Sequence, residues 1–129
     1  MRTSISALFA GAVLGLASLA SQAHHSGSIY DESKLTKLQG VLSEVQWVNP
    51  HVLFHVDVKG ADGKTTQWIV ESLAPPTLRN AGLLQRRVLA AQGSVVTVHV
   101  APARDGTPLA SLNGIDFADG TNFHLPTRK

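Results

Sequence analysis

The chain has 129 residues, with eleven Lys and Arg against nine Asp and Glu, six His and no cysteine. That length allows one domain, and the absence of cysteine excludes disulfides, thiol chemistry and thiolate metal sites. The formal charge of +2 is scattered along the chain, with no polybasic block of the kind that grips a phosphate backbone, so nucleic-acid binding is not expected.

The first 23 residues read as a secretory signal. Arg2 gives the positive start, "ISALFAGAVLGLASL" from Ile5 to Leu19 the apolar centre, and Ser21 and Ala23 the small residues before a cut. The apolar run falls short of the roughly 20 residues that span a bilayer with ease, and no second run follows, so no transmembrane segment is expected after cleavage. Loss of Arg2 lowers the formal charge to +1. The mature chain is expected in the periplasm or outside the cell, as a leader over 24–34 and one domain over 35–125.

The leader, "HHSGSIYDESK", is polar and rich in Gly and Ser, and reads as a tether. In "LTKLQGVLSEVQWV" Val41, Val45 and Trp47 share one parity while Leu38 and Leu42 share the other. Both faces are partly apolar, which predicts a long, bent strand, and Gly40 inside it marks a bulge or sharp bend. "NP" ends the strand, because proline cannot donate to a ladder. In "HVLFHVDV" Val52, Phe54, Val56 and Val58 alternate with His51, Leu53, His55 and Asp57, the period of a half-buried strand.

The turn into "TTQWIVE" fixes a register. A loop of Asp62-Gly63 alone would set Phe54 against Glu71. A loop of Ala61-Asp62-Gly63, with Gly63 left-handed, sets Val56 against Trp68 and Phe54 against Val70. A one-residue slip flips every side chain, so the apolar match favours the longer loop. It also sets Leu53 opposite Glu71, with His51 and His55 as diagonal neighbours of that carboxylate. Trp68 and Phe54 are then core residues rather than stacking platforms.

"APPTLRNAG" reads as a short helix, since prolines suit a first turn and Gly82 a left-handed stop. "LLQRRVLAAQG" adds another helical turn, and its arginines with Arg79 read as a solvated face. "SVVTVHVAPA" is a fourth strand, "LASLNGIDFA" a fifth, and "DGTNFHL" a closing hairpin. Strand, strand, strand, short helix, strand, strand is the layout of a small five-stranded Greek-key barrel of the OB type, mainly β. An open sheet carrying one helix is the alternative.

The histidines carry the chemistry. Cleavage after Ala23 makes His24 the first residue, so its amine and imidazole form a chelating pair. One more imidazole completes a T-shaped, three-nitrogen site of the kind that favours Cu(II). His25 is an alternative donor. Cleavage after Ala20 instead abolishes the site. His51 and His55 are roughly 13 Å apart along a strand, so at most one of them joins a shared metal. His51, next to the strand end, is the one a leader reaches. "WVNPH" adds Trp47 and Asn49 to His51, at the loop between the first two strands, a binding edge of such barrels. With His55 and Glu71 these residues form a candidate partner surface. His99 and His124 have no legible partner. No nucleophile elbow, zinc-protease helix or phosphate loop is present, so no enzyme is expected.

"AHHSGSIYD", "GVLSEVQWVNPH", "DGKTTQWIVE", "PPTLRNAG" and "APARDG" resemble the exported bacterial domain of unknown function 6152 family over nearly all of the mature chain. The sequence departs from the usual pattern at Gly27, where an aromatic is common, and at Gly93-Ser94, where Gly-Asp is. The resemblance implies export and one small domain, and no established activity. Two readings stand: a periplasmic binding module with Cu(II) at His24, His51 and His25, or a metal-free adaptor that binds an envelope protein through strands two and three and the "WVNPH" loop.

Overall fold

The computed structural model describes residues 29–126. Among the described residues six strands and two short helices follow one another in the order β1 (Thr36–Gln46), β2 (Leu53–Lys59), β3 (Thr65–Glu71), α1 (Pro75–Asn80), α2 (Gln85–Ala90), β4 (Val95–Pro102), β5 (Leu109–Asp116) and β6 (Asn122–His124). β1 pairs with β2 and β4, β2 with β3, and β4 with β5, all antiparallel; a parallel β3–β5 pairing closes the ring. This is the five-stranded OB-like barrel expected from the sequence, with β6 outside it on the free part of β5. The helical connection between β3 and β4 consists of two separate helices rather than one. Among the described residues no helix is long and apolar enough to cross a membrane.

β1 explains its own mixed parity. Its first half pairs with β4 and its second with β2, and the register with β2 shifts between Leu42 and Glu44. The extra residue is Ser43. Leu38, Gly40 and Leu42 face inward before it, Val45 and Trp47 after it. A bulge bends a strand and re-aims the side chains beyond it, so the apolar set crosses from one parity to the other without leaving the core. Gly40 is not the bulge. It is the point of closest approach to β2, where an added Cβ would lie 2.3 Å from the carbonyl oxygen of Asp57.

The β2–β3 register is the one the three-residue loop demands, with Val56 opposite Trp68, Phe54 opposite Val70 and Leu53 opposite Glu71. Gly60 and Lys64 close the loop with a 2.8 Å backbone hydrogen bond, and Gly63 has φ +79°. Phe54, Val56 and Val52 are fully buried with Leu42, Val98, Val100, Leu112 and Ile115 inside the barrel, and Leu78, Leu83 and Val88 of the helical segment are buried in the same core. Burial of a side chain of this size contributes roughly 1.5–3 kcal/mol, which is how a domain without covalent staples holds together.

The leader packs on the barrel from Tyr30 onward. Tyr30 forms a β-bridge with Ala103, the Asp31 amide donates to Pro102 at 2.8 Å, and Tyr30 and Asp31 are both buried. Of the tether expected over 24–34, Tyr30 and Asp31 are therefore docked while residues 32–34 are exposed; residues 24–28 lie outside the described residues.

Candidate functional site

The chain beside β2 and β3 builds a polar cluster at one end of the barrel. Past the formal strand ends the ladder continues: the Val52 amide donates to Leu73 at 3.1 Å and the Ser72 amide to Val52 at 2.9 Å. This aligns residues 51–53 with 71–73 and sets His51 beside Glu71. One carboxylate oxygen of Glu71 pairs with Nδ1 of His51, and the other accepts the Tyr30 hydroxyl at 2.6 Å. Glu71 thus ties the leader to the loop that follows Pro50.

A cavity of about 760 Å³ opens beside these groups, lined by Tyr30, His51, Glu71, Ser72, Leu73 and Leu112 among others. Its size and mixed lining are those of a small-molecule or peptide cleft. Ser72 is 7% exposed, and its Oγ has no hydrogen-bond partner among the described residues. Such orphan groups are uncommon in native proteins and mark places where water or a ligand binds. The Glu71–Nδ1 contact orients the imidazole and leaves Nε2 clear of Glu71, the support that metal-ligating histidines commonly have.

Tyr30 is the only tyrosine of the chain, so its ionisation can be read by absorbance. Burial pushes its phenol well above the ordinary range, and the hydrogen bond and charge of Glu71 push it further. An unfolded phenol ionises near about 10. Between that value and the folded one, the unfolded state has lost a proton that the native state keeps, so stability is full below pH 10 and falls as pH rises beyond it. Phenolate absorbance in native protein is expected to appear together with alkaline unfolding, and in urea along a simple curve centred near 10. A simple curve at that value in native protein would show that Tyr30 is not docked.

The remaining sequence candidates fall elsewhere. His24 and His25 lie outside the described residues. Trp47 packs against the core with Nε1 buried and without a partner among the described residues, and Asn49 is exposed, joined to Pro50 by a cis peptide bond. His55 stands opposite Ile69, and its Nδ1 meets Oε1 of Gln67 at 3.3 Å rather than Glu71. The structure therefore brings together His51 and Glu71, adds Tyr30, and leaves Trp47, Asn49 and His55 out of the cluster.

A second cluster, across β4, β5 and β6, has no counterpart in the sequence reading. His99 Nε2 lies 2.8 Å from Asp116 Oδ2, and His124 Nε2 lies 3.3 Å from Asp116 Oδ1. The hydrogen bond from His99 holds the Asp116 carboxyl below its usual range, with the His99 and His124 charges acting the same way. The only sequence signal was two unpaired histidines on neighbouring elements; the register that joins them depends on a bulge.

Barrel closure, strand order and an end cleft define an OB-like β-barrel domain, and the sequence places it in a family. The family model described as a family of unknown function (DUF6152) matches residues 12–111, and the chain belongs to that family. No curated protein and no solved structure matches the chain significantly.

Proposed function

We propose that the chain is an exported, non-enzymatic binding module that holds Cu(II) between its leader and the barrel end. His24, as the mature first residue, supplies an amine and an imidazole; His51 supplies Nε2, and His25 is an alternative donor. Nitrogen donors in a tetragonal array favour Cu(II) among the divalent ions. The observation that carries the reading is the Tyr30–Glu71–His51 link, which anchors the leader beside the barrel histidine. From His24 to Tyr30 the chain reaches at most about 20 Å, enough to bring the first residue to His51. The amine must lose its proton to bind, so affinity rises with pH through about 8.

The test joins two measurements. Intact mass of the secreted protein is expected to show His24 first. Copper titration followed by paramagnetic resonance is expected to give one nitrogen-rich site, weakened ~100-fold or more by His24→Ala and ~10-fold or more by His51→Ala, in line with the cost of removing supporting groups at metal sites. A different first residue, or equal weak binding by all three proteins, rejects the copper site. One observation favours the metal-free adaptor in that event. Among the described residues β3 pairs with β5 only over residues 69–71, so residues 65–68 present an edge without a partner strand there, to which an envelope protein can add a strand.

A further inference from the structure

We infer that His99, Asp116 and His124 form a site for a borderline divalent transition-metal ion, of the Zn(II) class, on the outer wall of the barrel. The site is independent of the cleft: its residues come from β4, β5 and β6, and none of them lines the cavity beside His51.

The chemistry is that of the donor set. One donor atom from each residue lies within 4.8 Å of the others. In tetrahedral coordination with bonds near ~2.0 Å, donors stand roughly 3.3 Å apart; here His99 Nε2 stands 2.8 Å from Oδ2 of Asp116 and His124 Nε2 3.3 Å from Oδ1, each imidazole against its own carboxylate oxygen. Two imidazoles and one carboxylate, with remaining positions open, are ligands that zinc and non-haem iron share. Both rings present Nε2 to the same carboxylate, and they meet edge to face with centroids 4.7 Å apart. Without a metal each contact needs a proton on its imidazole. A cation supplies the charge that all three groups can share, without either proton.

The backbone is shaped for this meeting. His99 and His124 both stand opposite Gly114, from the two sides of β5. A Cβ on Gly114 would lie 2.2 Å from Nδ1 of His124, so glycine leaves the room in which that ring lies over the strand. The register with β4 shifts between His99 and Val100, which makes Asn113 the extra residue. Leu112 faces the core before this bulge and Ile115 after it. Unbulged alternation would put Asp116 on the face of Leu112, inside the barrel; the bulge turns it outward to His99. The amide of Leu125 donates to the Asn113 carbonyl at 2.8 Å, and Phe117 to Thr121 at 2.8 Å, so both ends of β6 are pinned. A lone ion pair needs one histidine; this arrangement spends a glycine and a bulge to bring two.

The experiment uses the tag-free chain, titrated with Zn(II) and, as a coloured probe of the same site, Co(II). Wild type and His51→Ala are expected to bind one equivalent at this cluster, with nitrogen-ligated Co(II) absorption. His99→Ala, Asp116→Asn and His124→Gln are expected to weaken that equivalent ~10–100-fold or more. Gly114→Ala is expected to do the same while keeping all three donors. Circular dichroism identifies any variant that fails to fold, and the Asp116→Asn variant preserves side-chain shape so that the comparison survives such a loss. Unchanged uptake across the cluster variants, loss in His51→Ala alone, or no uptake by wild type at micromolar metal each overturns the assignment.

Discussion

Gly40→Ala lowers the unfolding free energy by ~3 kcal/mol or more, while Gly63→Ala costs about 1 kcal/mol. Both replace a glycine by one methyl group, and the difference lies in what that methyl meets. At Gly40 the new Cβ would stand 2.3 Å from the Asp57 carbonyl oxygen and 2.8 Å from its carbon. These are backbone atoms of β2, held by pairing to β1 on one side and β3 on the other, so neither can swing aside. Relief requires β1 and β2 to part where β1 passes from β4 to β2, and hydrogen bonds stretch on both sides. At Gly63 the φ of +79° carries the usual left-handed penalty, but nothing lies within 4 Å of the new methyl. Urea unfolding of the two variants checks the order. Equal costs would mean that β1 and β2 do not approach as closely as described.

The same crossing shows how far periodicity carries. The β2–β3 register was legible to the residue, because uninterrupted alternation plus one glycine-ended loop leaves a single register that keeps apolar residues together. β1 was legible as a long bent strand, yet the bend was assigned to Gly40 when the extra residue is Ser43. Serine carries no backbone signature that announces a bulge. What announced it was the mixed parity itself: Leu42 and Val45 cannot both face a core in a regular strand, and both do.

The candidate sites divide by the same rule. His51 and Glu71 were legible as diagonal neighbours because they follow from the β2–β3 register. Which histidine Glu71 takes was not, since it depends on Tyr30, a residue of the leader that no periodic pattern ties to β3. His99, Asp116 and His124 were illegible for a stronger reason. Regular alternation along "LNGID" puts Leu112, Gly114 and Asp116 on one face, so the sequence sends the carboxylate inward, away from His99. Only the insertion at Asn113 reverses it. Chemistry at bulges is hidden from pattern reading because the bulge is what changes the pattern.

Glu71→Ala lowers stability by about 2–3 kcal/mol, and most of that loss runs through Tyr30. Hydrogen bonds to a charged group contribute roughly 1.5–3 kcal/mol each, and a stranded buried partner adds to the cost. The two partners of Glu71 are unequal. The His51 side chain is 40% exposed, so water replaces much of what it loses; Tyr30 is 6% exposed and loses the carboxylate acceptor of its hydroxyl. The variant therefore weakens the seat of the leader at Tyr30. A Tyr30→Phe background is expected to remove about half of the Glu71→Ala cost, and a His51→Ala background much less, by the logic of a double-mutant cycle. The Tyr30 phenol in Glu71→Ala is still expected to ionise above its ordinary value, because burial is the larger cause and Glu71 the smaller. Urea unfolding gives the coupling, and tyrosine absorbance gives the ionisation. Should the Tyr30→Phe background leave the Glu71→Ala cost unchanged, the carboxylate acts on the barrel alone and does not hold the leader in place.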